Sequence, residues 1–264
     1  MSEYQAGARP CTLCILSTRN IRHTMTKHFV LSTLVGFALT ICAFSNGYAT
    51  EAKAQPLVVV ELFHSQGCSS CPPAEANINA IAGQPNVLAL SFAVTYWDDL
   101  GWKDTFGATA YTDRQQAYAR YHESDTIYTP QVYVNGHTSL VGIDRAELDD
   151  AIHAASMHGP SVTWIAHEVT VGDDASVKAP CDVWLVRYDP RTLRVAVGAG
   201  ENAGRTLPQR NVVRELVKLG RWNGSSEAFQ IPAAKSQGLS TAVLVQIAGG
   251  GDIVSASSAE TSRG

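Results

Sequence analysis

The segment from Pro56 to Ile81 constrains this chain more than any other. "PLVVVELF" (Pro56 to Phe63) is an unbroken, β-branched apolar run suited to a strand buried on both faces. It leads within a few residues into Cys68-Ser69-Ser70-Cys71, and then into "PPAEANINAIAG", where Ala74, Ile78, Ile81 and Ala82 share one helical face. Pro72 and Pro73 are tolerated only in a first helical turn, whose N–H groups lack partners anyway. "NVLALSFAV" (Asn86 to Val94) reads as a second buried strand, so the segment predicts a β-α-β unit with the two cysteines at the helix start.

That placement has a chemical consequence. The helix N-terminus favours a thiolate at Cys68, and the two-residue spacing lets Cys71 close a disulfide with it. This is the thioredoxin arrangement, with Cys68 as exposed attacker and Cys71 as buried resolver. Thr129-Pro130, 59 residues beyond Cys71, falls where such a fold carries a cis-proline facing the pair, and a cis bond is expected there. The order continues through a helix with Tyr111, Gln115, Tyr118 and Tyr121 on one face, then two strands joined at Asn135-Gly136, and a helix from Asp144, a candidate N-cap. Gly159-Pro160 marks an expected domain boundary.

Beyond it, short segments divided by Gly, Asp, Asn and Pro turns predict a mainly antiparallel, sandwich-like β domain. "NVVRELVKLG" fits a strand, and equally a helix with Val212, Leu216 and Leu219 on one face. The expected organisation is a leader over 1–54, a thioredoxin-like α/β domain with an inserted helical segment over 55–158, a β domain over 160–254 and a flexible tail over 255–264.

The leader is read from its own pattern. "HFVLSTLVGFALTICAF" (His28 to Phe44) follows Arg19, Arg22, His23 and Lys27, and Ala52 and Ala54 fit a small-residue cleavage site before Gln55. This predicts a secretory signal and a periplasmic or secreted protein, without a stable membrane span once the leader is removed. Met25 offers an alternative start; Cys11, Cys14 and Cys42 all lie within the leader. Removing it leaves 15 basic and 22 acidic residues, a net charge of −7 against −4 for the whole chain, which offers nothing to nucleic acid. Of the six cysteines, Cys68, Cys71 and Cys181 remain, the last expected as a buried free thiol.

Three functions compete for the pair. A thiol–disulfide oxidoreductase would act on a thiol or disulfide of a protein or small molecule, with Cys68 and Cys71 catalytic. Thr129, Pro130, Trp97 and Trp102 would then line the substrate site. Alternatively His64, Cys68 and Cys71 form a soft ligand set for Cu(I) or Zn(II), against the simpler reading of His64 as solvent-facing. The third reading is a static disulfide in a binding module. Asp98 and Asp104 are candidate bases, or surface charges. "GENAGRTLPQRN" (Gly200 to Asn211) can bind an anion or brace the two domains, with Glu201 pairing an arginine as the plainer role. No phosphate loop, dinucleotide turn or nucleophile elbow occurs, and no cofactor is expected.

Taken together, "ELFHSQGCSSCPPAEANI", "YWDDLGWKDTF", "YTPQVYVNG" and "GENAGRTLPQRNVVRELVKLGRW" resemble DUF1223, a family of exported bacterial proteins of undetermined function. The resemblance spans residues 56–254 and implies a thioredoxin-like fold. Members of that family are expected to carry His and Asp where this chain has Ala93 and Thr95, so no role of those side chains carries over.

Overall fold

The computed structural model describes residues 57–259, which fall within one compact unit; the leader, its cleavage site and Cys11, Cys14 and Cys42 lie outside them. The architecture is mixed α/β with a large mixed sheet. The first half runs β1 (Val58–His64), α1 (Cys71–Ile81), β2 (Val87–Ala93), a 3-10 turn (Asp98–Leu100), α2 (Thr109–Tyr121), β3 (Gln131–Val134), β4 (Thr138–Leu140) and α3 (Arg145–Ala154). The second half is strands: β5 (Val162–Ile165), β6 (Glu168–Val171), β7 (Cys181–Asp189), β8 (Leu193–Ala196), β9 (Thr206–Gln209), β10 (Val212–Trp222), β11 (Glu227–Gln230), β12 (Ser240–Ile247) and β13 (Ile253–Ser258).

Eight strands form one sheet in the order β13-β12-β7-β10-β2-β1-β3-β4. β1 and β2 are parallel and β3 runs antiparallel to β1. Both segments flanking the expected boundary at Gly159-Pro160 therefore contribute to the same sheet. They meet where β10 runs parallel to β2 at Val212 and Ser91, secured by the Asn211 side-chain amide donating to the Ala89 carbonyl at 2.8 Å. Pairing with β7 from Val212 to Trp222, with irregularities after Val213 and Lys218, makes "NVVRELVKLGRW" a strand, not a helix. The segment expected as a tail from 255 is edge strand as far as Ser258, because β13 pairs with β12 there.

Alternation along β1 divides the core. Val60 and Leu62 pack with Ala74, Ile78 and Ile81 of α1 and Leu148 and Ile152 of α3. Val59 and Phe63 face the other way, with Phe92 and with Tyr111 and Tyr118 of α2. Tyr121, expected on the same face of α2, is largely exposed. β5, β6 and β11 form a separate three-stranded sheet, whose Val169, Val171 and Phe229 share a core with Val183, Leu185 and Val243 of the large sheet. Asn135 and Gly136 turn the β3–β4 hairpin with positive φ, and Asp144 caps α3 by accepting from the Ala146 and Glu147 amides. β8 and β9 pair only with each other, and β9 lies against α1. This brings residues of the second half to the cysteine pair.

Candidate functional site around the Cys68–Cys71 disulfide

Cys68 and Cys71 are disulfide-bonded, with Cα atoms 5.5 Å apart and Cys71 opening α1. The Thr129-Pro130 bond is cis, and the Thr129 carbonyl oxygen lies 3.9 Å from Cys68 Sγ. α2 holds that segment in place: Gln115 Nε2 donates to the Tyr128 carbonyl at 2.8 Å and to Gln131 Oε1 at 2.7 Å. Sequence separation thus hides a close approach that β3 and α2 create together.

Cys68 is not the exposed thiol of the sequence expectation. Both cysteines are 0% exposed, while Ser69 and Ser70 between them face solvent. The segment between β8 and β9 holds the backbone of this loop. Asn202, itself fully buried, donates from Nδ2 to the carbonyls of Gln66 at 3.0 Å and Cys68 at 2.8 Å, and its Oδ1 accepts from Arg205 at 2.6 Å. Glu201 accepts the Ser69 N–H at 2.9 Å, rather than pairing with an arginine as expected, and that N–H holds its carboxyl below the usual range. "GENAGRTLPQRN" is a brace, and what it braces is the cysteine loop.

The residues flanking the cysteine loop form a buried polar network. His64 is fully buried, which overturns the solvent-facing reading. Its Nδ1 donates to Glu75 Oε1 at 2.7 Å, and Gln209 Nε2 donates to the same oxygen at 3.2 Å. Gln66 connects the layers: its Nε2 donates to Thr105 Oγ1 and Gln209 Oε1, and its Oε1 accepts from Trp102 Nε1 at 3.0 Å. Asp104 is buried, not a surface charge, and takes the Gln66 N–H at 2.7 Å and the Phe106 N–H at 2.9 Å. Asp98 accepts the Asp104 N–H at 3.0 Å and so shapes the turn.

The charges in this network shift one another. Burial opposes protonation of His64, but the Glu75 hydrogen bond and the charges of Glu75 and Asp104 outweigh it and raise its pKa. Burial also raises Asp104, against the opposing pull of His64 and the two backbone N–H groups.

The residues expected to line a substrate site take distinct places. Thr129 and Pro130 stand beside Cys68; Trp102 supports Gln66 and packs near Gly198 and Gly200; Trp97 packs against the core shared by β1, β2 and α2. In the disulfide state, the soft ligand set of His64, Cys68 and Cys71 is not assembled. The sulfurs bond each other and His64 Nδ1 is engaged by Glu75. Among the described residues no group of three or more His, Cys, Asp or Glu is arranged to hold a metal ion. Ala93 is buried in β2, and Thr95 Oγ1 meets Thr112 Oγ1 at 3.0 Å, so these positions serve packing here. Cys181 is a buried free thiol, and burial pushes its pKa up to about 11.

Three contributors were not named from sequence: Glu75, Gln66 and Gln209. Only Glu75 left a signal, as a carboxylate within the apolar stripe Cys71, Ala74, Ile78, Ile81.

The profile of a family described as "Protein of unknown function (DUF1223)" matches residues 59–246. The chain belongs to this family. The match contains the cysteine loop, the cis-proline and the 200–211 brace, so the whole site lies inside the DUF1223 region. Among solved structures, the chain resembles a structural-genomics crystal structure of a protein from Agrobacterium tumefaciens, at 31% identity and a TM-score of 0.65, covering 78% of this chain and 95% of that one. HBP35 of Porphyromonas gingivalis matches at 12% identity and a TM-score of 0.50, over 78% of this chain and 75% of that one, a likeness of fold alone. No curated protein matches the sequence.

Proposed function

We propose that this DUF1223 protein is a thioredoxin-like thiol–disulfide oxidoreductase, periplasmic or secreted after loss of its leader. The observation that carries the reading is the Cys68–Cys71 disulfide at the start of α1, with Cys68 Sγ facing the carbonyl of the residue before a cis-proline. The neighbouring strand order β2-β1-β3-β4, with α1 and α3 on one face and α2 on the other, supports the thioredoxin-like assignment. No described helix is long and apolar enough to cross a membrane.

In this reading a substrate thiolate attacks Cys68 Sγ, forming a mixed disulfide and releasing Cys71 as a thiolate. A second substrate thiol then displaces Cys68, so that two substrate thiols become a disulfide and the protein gains two electrons. The reverse sequence reduces a substrate. The partial positive charge at the α1 N-terminus stabilises the Cys68 thiolate in both directions. Ser69-Ser70 adds no charge, and the direction of flow follows from the difference between the potentials of the pair and its substrate. Since Cys68 is fully buried, exchange requires a local opening of the structure around its sulfur.

The Cys71→Ala protein tests this, because removing the resolver traps the first intermediate. In a Cys181→Ala background, incubation with oxidised glutathione or a disulfide-containing peptide is expected to yield an adduct at Cys68 by mass spectrometry, released by dithiothreitol. No adduct on a folded variant would reject exchange at Cys68.

A further inference from the structure

A cavity of about 270 Å³ opens between α2 and the strands β7, β10 and β12, and shares no lining residue with the cysteine loop. Small residues create it. Tyr111 and Tyr118 of α2 fill the core, whereas the helix face turned to the cavity carries Ala110 and Ala117, two turns apart and too short to close the gap. Along β7, alternate residues change character: Val186 belongs to the core, Trp184 packs against its margin, and Asp182 follows as a carboxylate only 6% exposed. The turn after β12 closes one wall. A Cβ at Gly250 would lie 2.5 Å from the Ala117 backbone, so glycine alone lets that turn rest on α2.

The polar groups around the cavity are unequally engaged. Arg114 donates to Glu61, Tyr118 and Gln246, and Gln246 donates in turn to the Gly251 carbonyl at 2.8 Å. Asp113 is exposed and has no ion pair among the described residues. Asp182 Oδ1 is buried with Lys218 Nζ at 2.7 Å, yet the two are not aligned for a hydrogen bond. Lys218 also stands 5.9 Å from the centre of the Trp184 ring, so the fold already holds one primary ammonium between a carboxylate and an indole. The side-chain capacity left open is acceptor oxygen, next to an apolar wall of Trp184 and Leu216.

We infer that this cavity binds a primary ammonium group carried on a short alkyl chain. Asp113 of α2 and Asp182 of β7 supply the counter-charge, and the chain lies against Trp184 and Leu216 in the space left by Ala110 and Ala117. A carboxylate ligand would meet Asp113 and find Arg114 already held by Glu61; a neutral alcohol would gain the wall without the charge. The same chemistry is offered by a free alkylamine and by a lysine side chain of another protein. The site involves no electron transfer and stands whether or not Cys68 exchanges with a substrate.

The test follows the indole N–H signals of the full chain by NMR, with Trp184 assigned through Trp184→Phe. n-Butylammonium chloride is expected to shift the Trp184 signal saturably, and n-butanol and sodium butyrate to bind at least about fivefold more weakly at equal ionic strength. Asp113→Asn, at an exposed position, is expected to weaken butylammonium binding by about fivefold. Ala110→Leu fills the space without changing charge and is expected to abolish it. Nα-Acetyl-lysine methylamide separates the two sources: binding as tight as butylammonium's or tighter assigns the site to a lysine side chain, and weaker binding assigns it to a free amine. Equal responses to butylammonium and butanol overturn the assignment. So does the lack of a saturable shift, or a butylammonium response unchanged by Asp113→Asn in a protein with native circular dichroism.

Discussion

Replacing Arg114 by methionine is expected to destabilise the fold by about 3–5 kcal/mol, a large share of the total of about 5–15 kcal/mol typical of such domains. Glu61 sits in the middle of β1, 0% exposed, between β2 and β3. Its carboxylate is met by Arg114 Nε at 2.8 Å and Nη2 at 3.1 Å, and by the Tyr118 hydroxyl. Arg114 Nη1 also donates to Gln246 Oε1 at 3.1 Å, and its guanidinium lies 5.2 Å from the Tyr118 ring centroid and 5.6 Å from that of Trp184. Methionine fills much of the arginine's volume but leaves a buried carboxylate with one hydroxyl. The double variant Glu61→Leu, Arg114→Met is expected to recover most of the loss, since removing both charges also removes their desolvation. Urea unfolding of the parent and variants checks both statements; a single variant within about 1 kcal/mol of the parent would show that the pair contributes little. The effect also reaches the site, because the next residue, Gln115, holds the cis-proline segment.

Asn202→Ala is the second large effect, and it acts locally. The side chain closes the cysteine loop by donating to two carbonyls, and alanine leaves both without that donor. The Cys68 carbonyl keeps the Cys71 N–H at 3.2 Å, so the Gln66 carbonyl is the acceptor left unpaired, at a cost of about 1–3 kcal/mol. Part of that cost is relieved by opening the 198–205 segment and admitting water. Reduced Cys68 is therefore expected to react with iodoacetamide more than tenfold faster in the variant, with about 1.4 kcal/mol sufficient for each factor of ten. Equal alkylation rates in parent and variant would mean that Asn202 is not what covers the thiol.

The parts of this fold that were legible in the sequence are those written contiguously. A β-branched run, a C-x-x-C and two prolines at a helix start leave little choice for β1 and α1. Asn135-Gly136 and Asp144 each announce a local geometry that the chain then adopts. The cis bond at Thr129-Pro130 was expected from its place in the element order.

What stayed hidden depends on partners far apart in the chain. Asn202 lies 134 residues from Cys68 and Gln209 lies 134 from Glu75, and their residue types state no address. Nor does anything local show that β10 joins β2, so turn residues at Gly159-Pro160 resemble a boundary while the sheet continues through Val212 and Ser91. His64 read as solvent-facing because a lone histidine after a strand usually is; its burial follows only once Glu75 and the β9 residue Gln209 are placed around it.

On the proposed reading, Cys68 and Cys71 interconvert reversibly between dithiol and disulfide. Equilibration of the purified, metal-free protein with glutathione buffers of graded potential, read by alkylation and mass spectrometry of the two cysteines, tests it most directly. A reversible transition between about −120 and −270 mV, the span of known exchange catalysts, is the predicted result. A disulfide still closed below about −300 mV would contradict the claim and make the pair a structural staple.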